Sequence, residues 1–163
     1  MQYKKTWLSV SFLLISSIVL LANTNKAKNP SNPNPKIQVA VLLDVSNSMD
    51  GLIDQAKAQL WNMVSVLGKA QCDGKSPTIE IALYEYGRSN NNITEGYVKQ
   101  INAFSTDLDQ VSKNLFSLST RGGDEYCGHV MFTSLNDLQW DADTNNYKVI
   151  FIAGNESFLQ GNI

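Results

Sequence analysis

The sequence predicts an open α/β fold, a mostly parallel sheet with helices on both faces, and three observations carry that reading. Residues 37–43 and 147–153 are short apolar runs, as expected of strands buried on both faces. Other segments place apolar residues at spacings of three and four, the period of an amphipathic helix. The two kinds of segment alternate along the chain, the order that a parallel sheet with crossover helices requires.

Taken in order, residues 37–43 are apolar except for Gln38. Leu52, Ala56, Leu60, Val64 and Leu67 then recur at helical spacing, which predicts a helix over residues 52–67. Ser48 or Asp50 is placed to cap its start, and Gly68 to end it. Residues 71–77 (QCDGKSP) form a polar turn. Residues 78–86 (TIEIALYEY) alternate Ile79, Ile81 and Leu83 against Thr78, Glu80 and Ala82, a strand with one apolar face, on which Tyr84 and Tyr86 share a side. An asparagine-rich loop follows over residues 87–96.

Residues 97–104 (YVKQINAF) mix polar and apolar side chains and suit an edge strand, antiparallel to its predecessor because the connection is short. Thr106 and Asp109 have the spacing of a capping box, with Asp in place of the usual Glu. They open a helix carrying Leu108, Val111, Leu115 and Leu118. A loop over residues 119–128 (STRGGDEYCG), a helix over 129–140, a polar turn and the strand over 147–153 complete the pattern, which is Rossmann-like.

Before this domain, Lys4 and Lys5 precede an apolar stretch over residues 7–22. A basic start and a short apolar run read as a signal peptide or an N-terminal anchor, so residues 1–22 predict export to the periplasm, the cell surface or the medium. Residues 23–36 (NTNKAKNPSNPNPK) hold three prolines and five asparagines without apolar periodicity, and read as a disordered linker, a tether where the anchor is kept. Residues 37–163 form the domain.

Five of the 13 basic residues lie before Ile37, and none of the 15 acidic ones does, so the domain carries 8 basic against 15 acidic side chains. Such a surface repels phosphate backbones and excludes nucleic acid as a natural ligand. Cys72 and Cys127 invite a disulfide in an exported chain, but the layout opposes it. Cys72 follows the end of the first helix and Cys127 should lie near that helix's start, about 24 Å away.

The stretch Asp44-Val45-Ser46-Asn47-Ser48-Met49-Asp50-Gly51 ends the first apolar run. In extended backbone the side chains of Asp44, Ser46 and Ser48 share a side, so three oxygen donors converge where strand gives way to loop. Oxygen donors suit a hard divalent cation such as Mg²⁺, with Mn²⁺ or Ca²⁺ as alternatives. In open α/β sheets ligands sit beyond the carboxyl ends of the strands, which adds the loop after Ala153 to this one.

This motif, Asp-x-Ser-x-Ser after a buried strand and before a helix, resembles the metal-ion-dependent adhesion site of von Willebrand factor A (vWA) domains. ALYEYG, GGDEYCG and FIAGNE add a likeness to an exported bacterial branch. The resemblance implies a metal site built from Asp44, Ser46, Ser48, Asp124 after the glycine pair Gly122-Gly123, and Asn155 in the third loop. The family commonly has a Thr in the second position and an Asp in the third, so both loops depart from its pattern. It also implies further helices and two more strands after the fourth, so the chain is expected to lack the C-terminal half of such a domain.

The function expected is a binding module that recognises a protein through the cation, with an acidic side chain of the partner completing its coordination. A metal-free structural module is the first alternative. A metal-assisted phosphatase with Asp44 as nucleophile is the second; Ser46 stands where such enzymes favour another acid, and no general base is evident. His129, Trp61 and Trp140 read as helix-start and packing residues.

Overall fold

The computed structural model describes residues 35–72 and 74–158. The leader expected over residues 1–22 and most of the linker lie outside the described residues. Four strands, β1 (Lys36–Asp44), β2 (Thr78–Tyr86), β3 (Lys99–Ser105) and β4 (Tyr147–Ala153), form one sheet in the order β3-β2-β1-β4. β1 runs parallel to both β2 and β4, and β3 is antiparallel to β2 at the edge, as the short connection predicts. The helices are α1 (Ile53–Leu67), α2 (Leu108–Ser117) and α3 (Cys127–Asp137).

The period of two in β1 divides the core into two clusters. Ile37, Val39, Val41 and Leu43 face one side with Ile81, Leu83, and Leu60 and Val64 of α1 and Val111 and Leu115 of α2. Ala40 and Leu42 face the other with Ala82, Tyr84, Tyr86, and Cys127 and Val130 of α3. A strand covered on both faces reads as an unbroken apolar run, which is why β1 was legible. β4 contributes Val149, Phe151 and Ala153 to the first cluster and Ile150 and Ile152 to the second. Tyr84 and Tyr86 cover core on one face, as expected.

Several boundaries differ from the predicted ones. Lys36, assigned to the linker, opens β1: it pairs with Thr78, its N–H donates to Asn146 Oδ1 at 3.1 Å, and its ammonium meets Glu80 and Asp141 at 3.0 and 3.1 Å. α1 has Leu52 at its N-cap with no side-chain cap, because Ser48 and Asp50 are engaged elsewhere. Gly68 ends α1, yet in a right-handed conformation (φ −60°) that any residue adopts. In α2 the cap is Asp107, not Thr106, its carboxylate accepting from the Gln110 N–H at 3.0 Å. α3 starts at Cys127 and stops at Asp137, three residues short of Trp140. Trp140 instead donates its indole N–H to the Ser134 carbonyl and packs edge-on against Phe104. Cys72 and Cys127 are both free thiols.

Gln38 is the polar exception in β1 and is 2 % exposed. Its amide donates to Glu80 Oε2 at 2.8 Å and to the Gln139 carbonyl at 3.3 Å, and accepts from the Asp141 N–H at 2.7 Å. It thereby ties the chain after α3 to the start of the sheet. A nearly isosteric apolar replacement leaves those groups unpaired, so Gln38→Leu is expected to destabilise by about 1–3 kcal/mol despite adding hydrophobicity. Asp107→Ala, which removes the cap of α2, should cost about 1 kcal/mol. Urea unfolding of the two variants measures both, and an unchanged midpoint for Gln38→Leu would refute the tie.

Candidate metal centre

The centre forms where β1 ends between its two parallel neighbours. The chain leaves β1 to one side for β2 and later crosses to the other for β4, so the loops after β1 and β4 diverge there and leave a crevice. Asp44, the last residue of β1, has no exposed surface. Its Oδ1 accepts the Ser46 N–H at 2.8 Å, which turns the chain sharply out of the strand. Its Oδ2 is buried and has no hydrogen-bond partner among the described residues.

The two serines follow in line. Ser46 is fully buried, and its hydroxyl lies 2.7 Å from that of Ser48. Ser48, on the short 3₁₀ turn Asn47–Met49, is exposed and donates to Asn155 Oδ1 at 2.8 Å. The Asn155 amide returns to the Ser48 carbonyl at 3.3 Å, so the third loop is fastened to the first. The donors therefore grade from a sealed carboxylate at the base to hydroxyl and amide groups at the rim.

Of the five residues predicted for the site, Asp44, Ser46, Ser48 and Asn155 come together. Asp124 does not join them: it is exposed, and no hydrogen bond links it to the serines or to Asn155. Its neighbour Glu125 takes that place, with Oε1 3.5 Å from the Ser48 hydroxyl. The segment between Leu118 and Cys127 is irregular, so no periodicity indicates which of two adjacent acids turns inward.

Three further contacts hold the second loop in place, and none was foreseen. The Asn47 side chain accepts from the Gly122 N–H at 2.6 Å, Thr120 donates to Asp50, and the Arg121 N–H donates to the Val45 carbonyl at 2.7 Å. Below them Glu85, 3 % exposed, accepts from Arg88 Nε at 3.0 Å, and Arg88 Nη2 reaches the Ser119 carbonyl at 2.7 Å. Glycines allow the loops to close. Gly87 has φ +80°, and a Cβ there would stand 2.9 Å from Asp44 Oδ1. A Cβ on Gly123 would meet the Ser89 nitrogen at 2.5 Å and the Gly87 carbonyl oxygen at 2.6 Å.

The electrostatics are those of a crowded acidic site. Burial pushes the Asp44 carboxyl above its ordinary range, against the Ser46 N–H and hydroxyl, and the Glu156 charge adds to the rise. Glu125 is raised first by burial and then by the charges of Asp44 and Glu156, against hydrogen bonds from the two serines. Tyr86 and Cys127, packed beside Asp44, are raised too, chiefly by burial. Among the described residues no Lys or Arg is paired with Asp44 or Glu125. Among the described residues no three His, Cys, Asp or Glu side chains are grouped to hold a metal. The donors here are mainly hydroxyl and amide oxygens, and these suit a hard cation that retains water.

No family model and no curated protein matches this chain. Solved structures do. The vWA domain of SpRpn10 superposes with a TM-score of 0.54 at 12% identity, over 76% of this chain and 62% of that one. Proximal thread matrix protein 1 from the mussel byssus, described with a zinc-occupied MIDAS motif, gives 0.51 at 12% identity, over 73% and 28%. Three N-terminal domains of the type V pili tip protein Mfa5 from Porphyromonas gingivalis give 0.51 at 18% identity, over 77% and 24%. The chain thus spans less than two thirds of each of these structures. A four-stranded mixed sheet flanked by helices, with Asp-x-Ser-x-Ser at the end of its central strand, has the fold of a von Willebrand factor A domain.

Proposed function

We propose that this chain is a protein-binding module whose contact surface is centred on a divalent cation. The observation that carries the reading is Asp44 Oδ2, a fully buried carboxylate oxygen with no hydrogen-bond partner among the described residues. An orphaned buried acceptor costs about 1–3 kcal/mol, more when charged, and a cation removes that cost. Asp44, Ser46, Ser48 and Asn155 would hold the ion, and Glu125 stands beside them. Bound there, a Mg²⁺ or Mn²⁺ ion would supply positive charge at an exposed rim, suited to an oxygen ligand from a partner.

The likeness to a MIDAS-bearing byssus protein and to a pilus tip protein supports adhesion-type binding. Export, read from residues 1–22, agrees with the surface location of a pilus protein.

Titrating the full chain with Mg²⁺ or Mn²⁺ while following thermal unfolding tests the reading. Saturable binding should stabilise the fold by about 2.7 kcal/mol at one hundred times the dissociation constant. Asp44→Asn should abolish that gain. No metal-dependent stabilisation of the wild-type chain would refute the proposal in favour of a metal-free structural module.

The metal-free protein carries a second signature. An acid whose folded pKa is raised binds more protons folded than unfolded, so stability falls as pH rises. For Asp44 the fall begins near its ordinary value of 3.8 and continues through its raised folded value. Wild type without metal should therefore lose stability across that window relative to Asp44→Asn, and added Mg²⁺ should reverse the difference at neutral pH. Parallel stability–pH curves for the two proteins would contradict the burial of a charged Asp44.

A further inference from the structure

Glu125 has no role in the sequence motif, yet it lies on the same cluster as the adhesion-type donors. Its Oε1 is 3.5 Å from Ser48 Oγ, and it interacts with both serine hydroxyls and with the charge of Asp44. The contact is imposed by the fold. Asn47 and Val45 hold Gly122 and Arg121, and Arg88 holds Ser119, so the segment leading to Glu125 is fastened at three points. Glu125 is partly buried, and a Cβ on Gly87 would stand 3.1 Å from its Cγ. A carboxylate held near another that is fully buried and has one oxygen without a hydrogen-bond partner, with no Lys or Arg paired to either among the described residues, is a repulsive arrangement. A divalent ion between them turns it into an attractive one.

We propose that Glu125 is a built-in carboxylate ligand of this centre, standing where an acidic group of a partner would otherwise reach the cation. The proposal rests on the metal-binding reading above and changes its consequence. Asp44 alone leaves a divalent ion with one surplus positive charge for a partner. Asp44 and Glu125 together neutralise it. The ion is then held more firmly, and an acidic partner must displace Glu125 to bind. The intact module therefore favours neutral oxygen ligands, such as amide or hydroxyl groups, and accepts a carboxylate once Glu125 is withdrawn.

Mn²⁺ binding to the full chain, read by electron paramagnetic resonance and by water-proton relaxation, tests this with acetate as the acidic probe. Glu125→Gln should weaken Mn²⁺ by at least the amount lost with an outer-shell partner, about 10–100-fold. Glu125→Ala should add water to the bound ion and let acetate displace it, an effect absent in wild type. The metal-free melting temperature of Glu125→Gln should equal or exceed that of wild type, because one of two facing charges is gone. If Glu125→Gln binds Mn²⁺ as wild type does while Asp44→Asn binds none, the metal centre stands and this role for Glu125 is overturned. A fall in metal-free stability matching the loss of affinity would overturn it as well, making Glu125 a structural residue. If wild type binds no Mn²⁺, the metal-binding reading itself fails, and this inference with it.

Discussion

The arrangement turns on one carboxylate placed where a protein interior ordinarily admits none. Asp44 closes the central strand of the sheet, flanked by β2 and β4, with apolar clusters on both faces and no exposed surface of its own. Folding withdraws its charge from water, and the Ser46 N–H answers Oδ1 while Oδ2 has no hydrogen-bond partner among the described residues. What surrounds it follows from that constraint. The loop must turn at once so that the Ser46 N–H reaches back, Gly87 must lack a side chain, and the second and third loops must close over the crevice. A local preference for stability would have placed an apolar residue at that strand end. Strain tolerated at a single well-built position is the usual mark of a site kept for function.

The loops that close over Asp44 are held by buried polar contacts instead of regular structure. Glu85 and Arg88 show how this works. Glu85 lies at the end of β2, almost fully buried, and its charge is answered by Arg88 and Asn91. Arg88 also donates from Nη2 to the Ser119 carbonyl, so the ion pair also holds the second loop. Removing one partner of such a pair leaves an uncompensated buried charge, a loss of about 3–5 kcal/mol. The loop carrying Glu125 thus inherits the rigidity of the sheet without belonging to it. A ligand site built from loops needs that support, since a displacement of about 1 Å is enough to spoil it.

The fold was largely legible because its strongest signals are periodic. β2 and β4 have the bounds read from sequence, and the alternation in β1 separates the two clusters residue by residue. Bounds shifted at the ends of β1 and β3 and at the helix ends, where capping depends on one side chain choosing among several backbone groups. Thr106 and Asp107 are both competent caps, and only the path of the chain after β3 selects Asp107. The clustering of the candidate residues was legible to the same extent. Asp44, Ser46 and Ser48 follow the period of an extended segment, and Asn155 follows directly from the end of β4. Asp124 and Glu125 lie in irregular backbone, where orientation is set by Asn47, Val45 and Arg88 from distant parts of the chain. Adjacent residues differ there for tertiary reasons that no local pattern records.

The two ends of β1 make the functional argument most directly. Both carry a buried polar side chain within the same strand, Gln38 near the start and Asp44 at the end. Gln38 is neutral and answered on both its donor and its acceptor side, so its burial is offset and it serves to join the start of the sheet to the chain after α3. Asp44 is ionisable, and one of its buried oxygens has no hydrogen-bond partner among the described residues, next to the buried Ser46 and, beyond it, the exposed Ser48. A residue that only stabilised the fold would look like Gln38. The asymmetry between them, within one strand and under the same burial, supports reading Gln38 as a structural tie and Asp44 as a candidate ligand position.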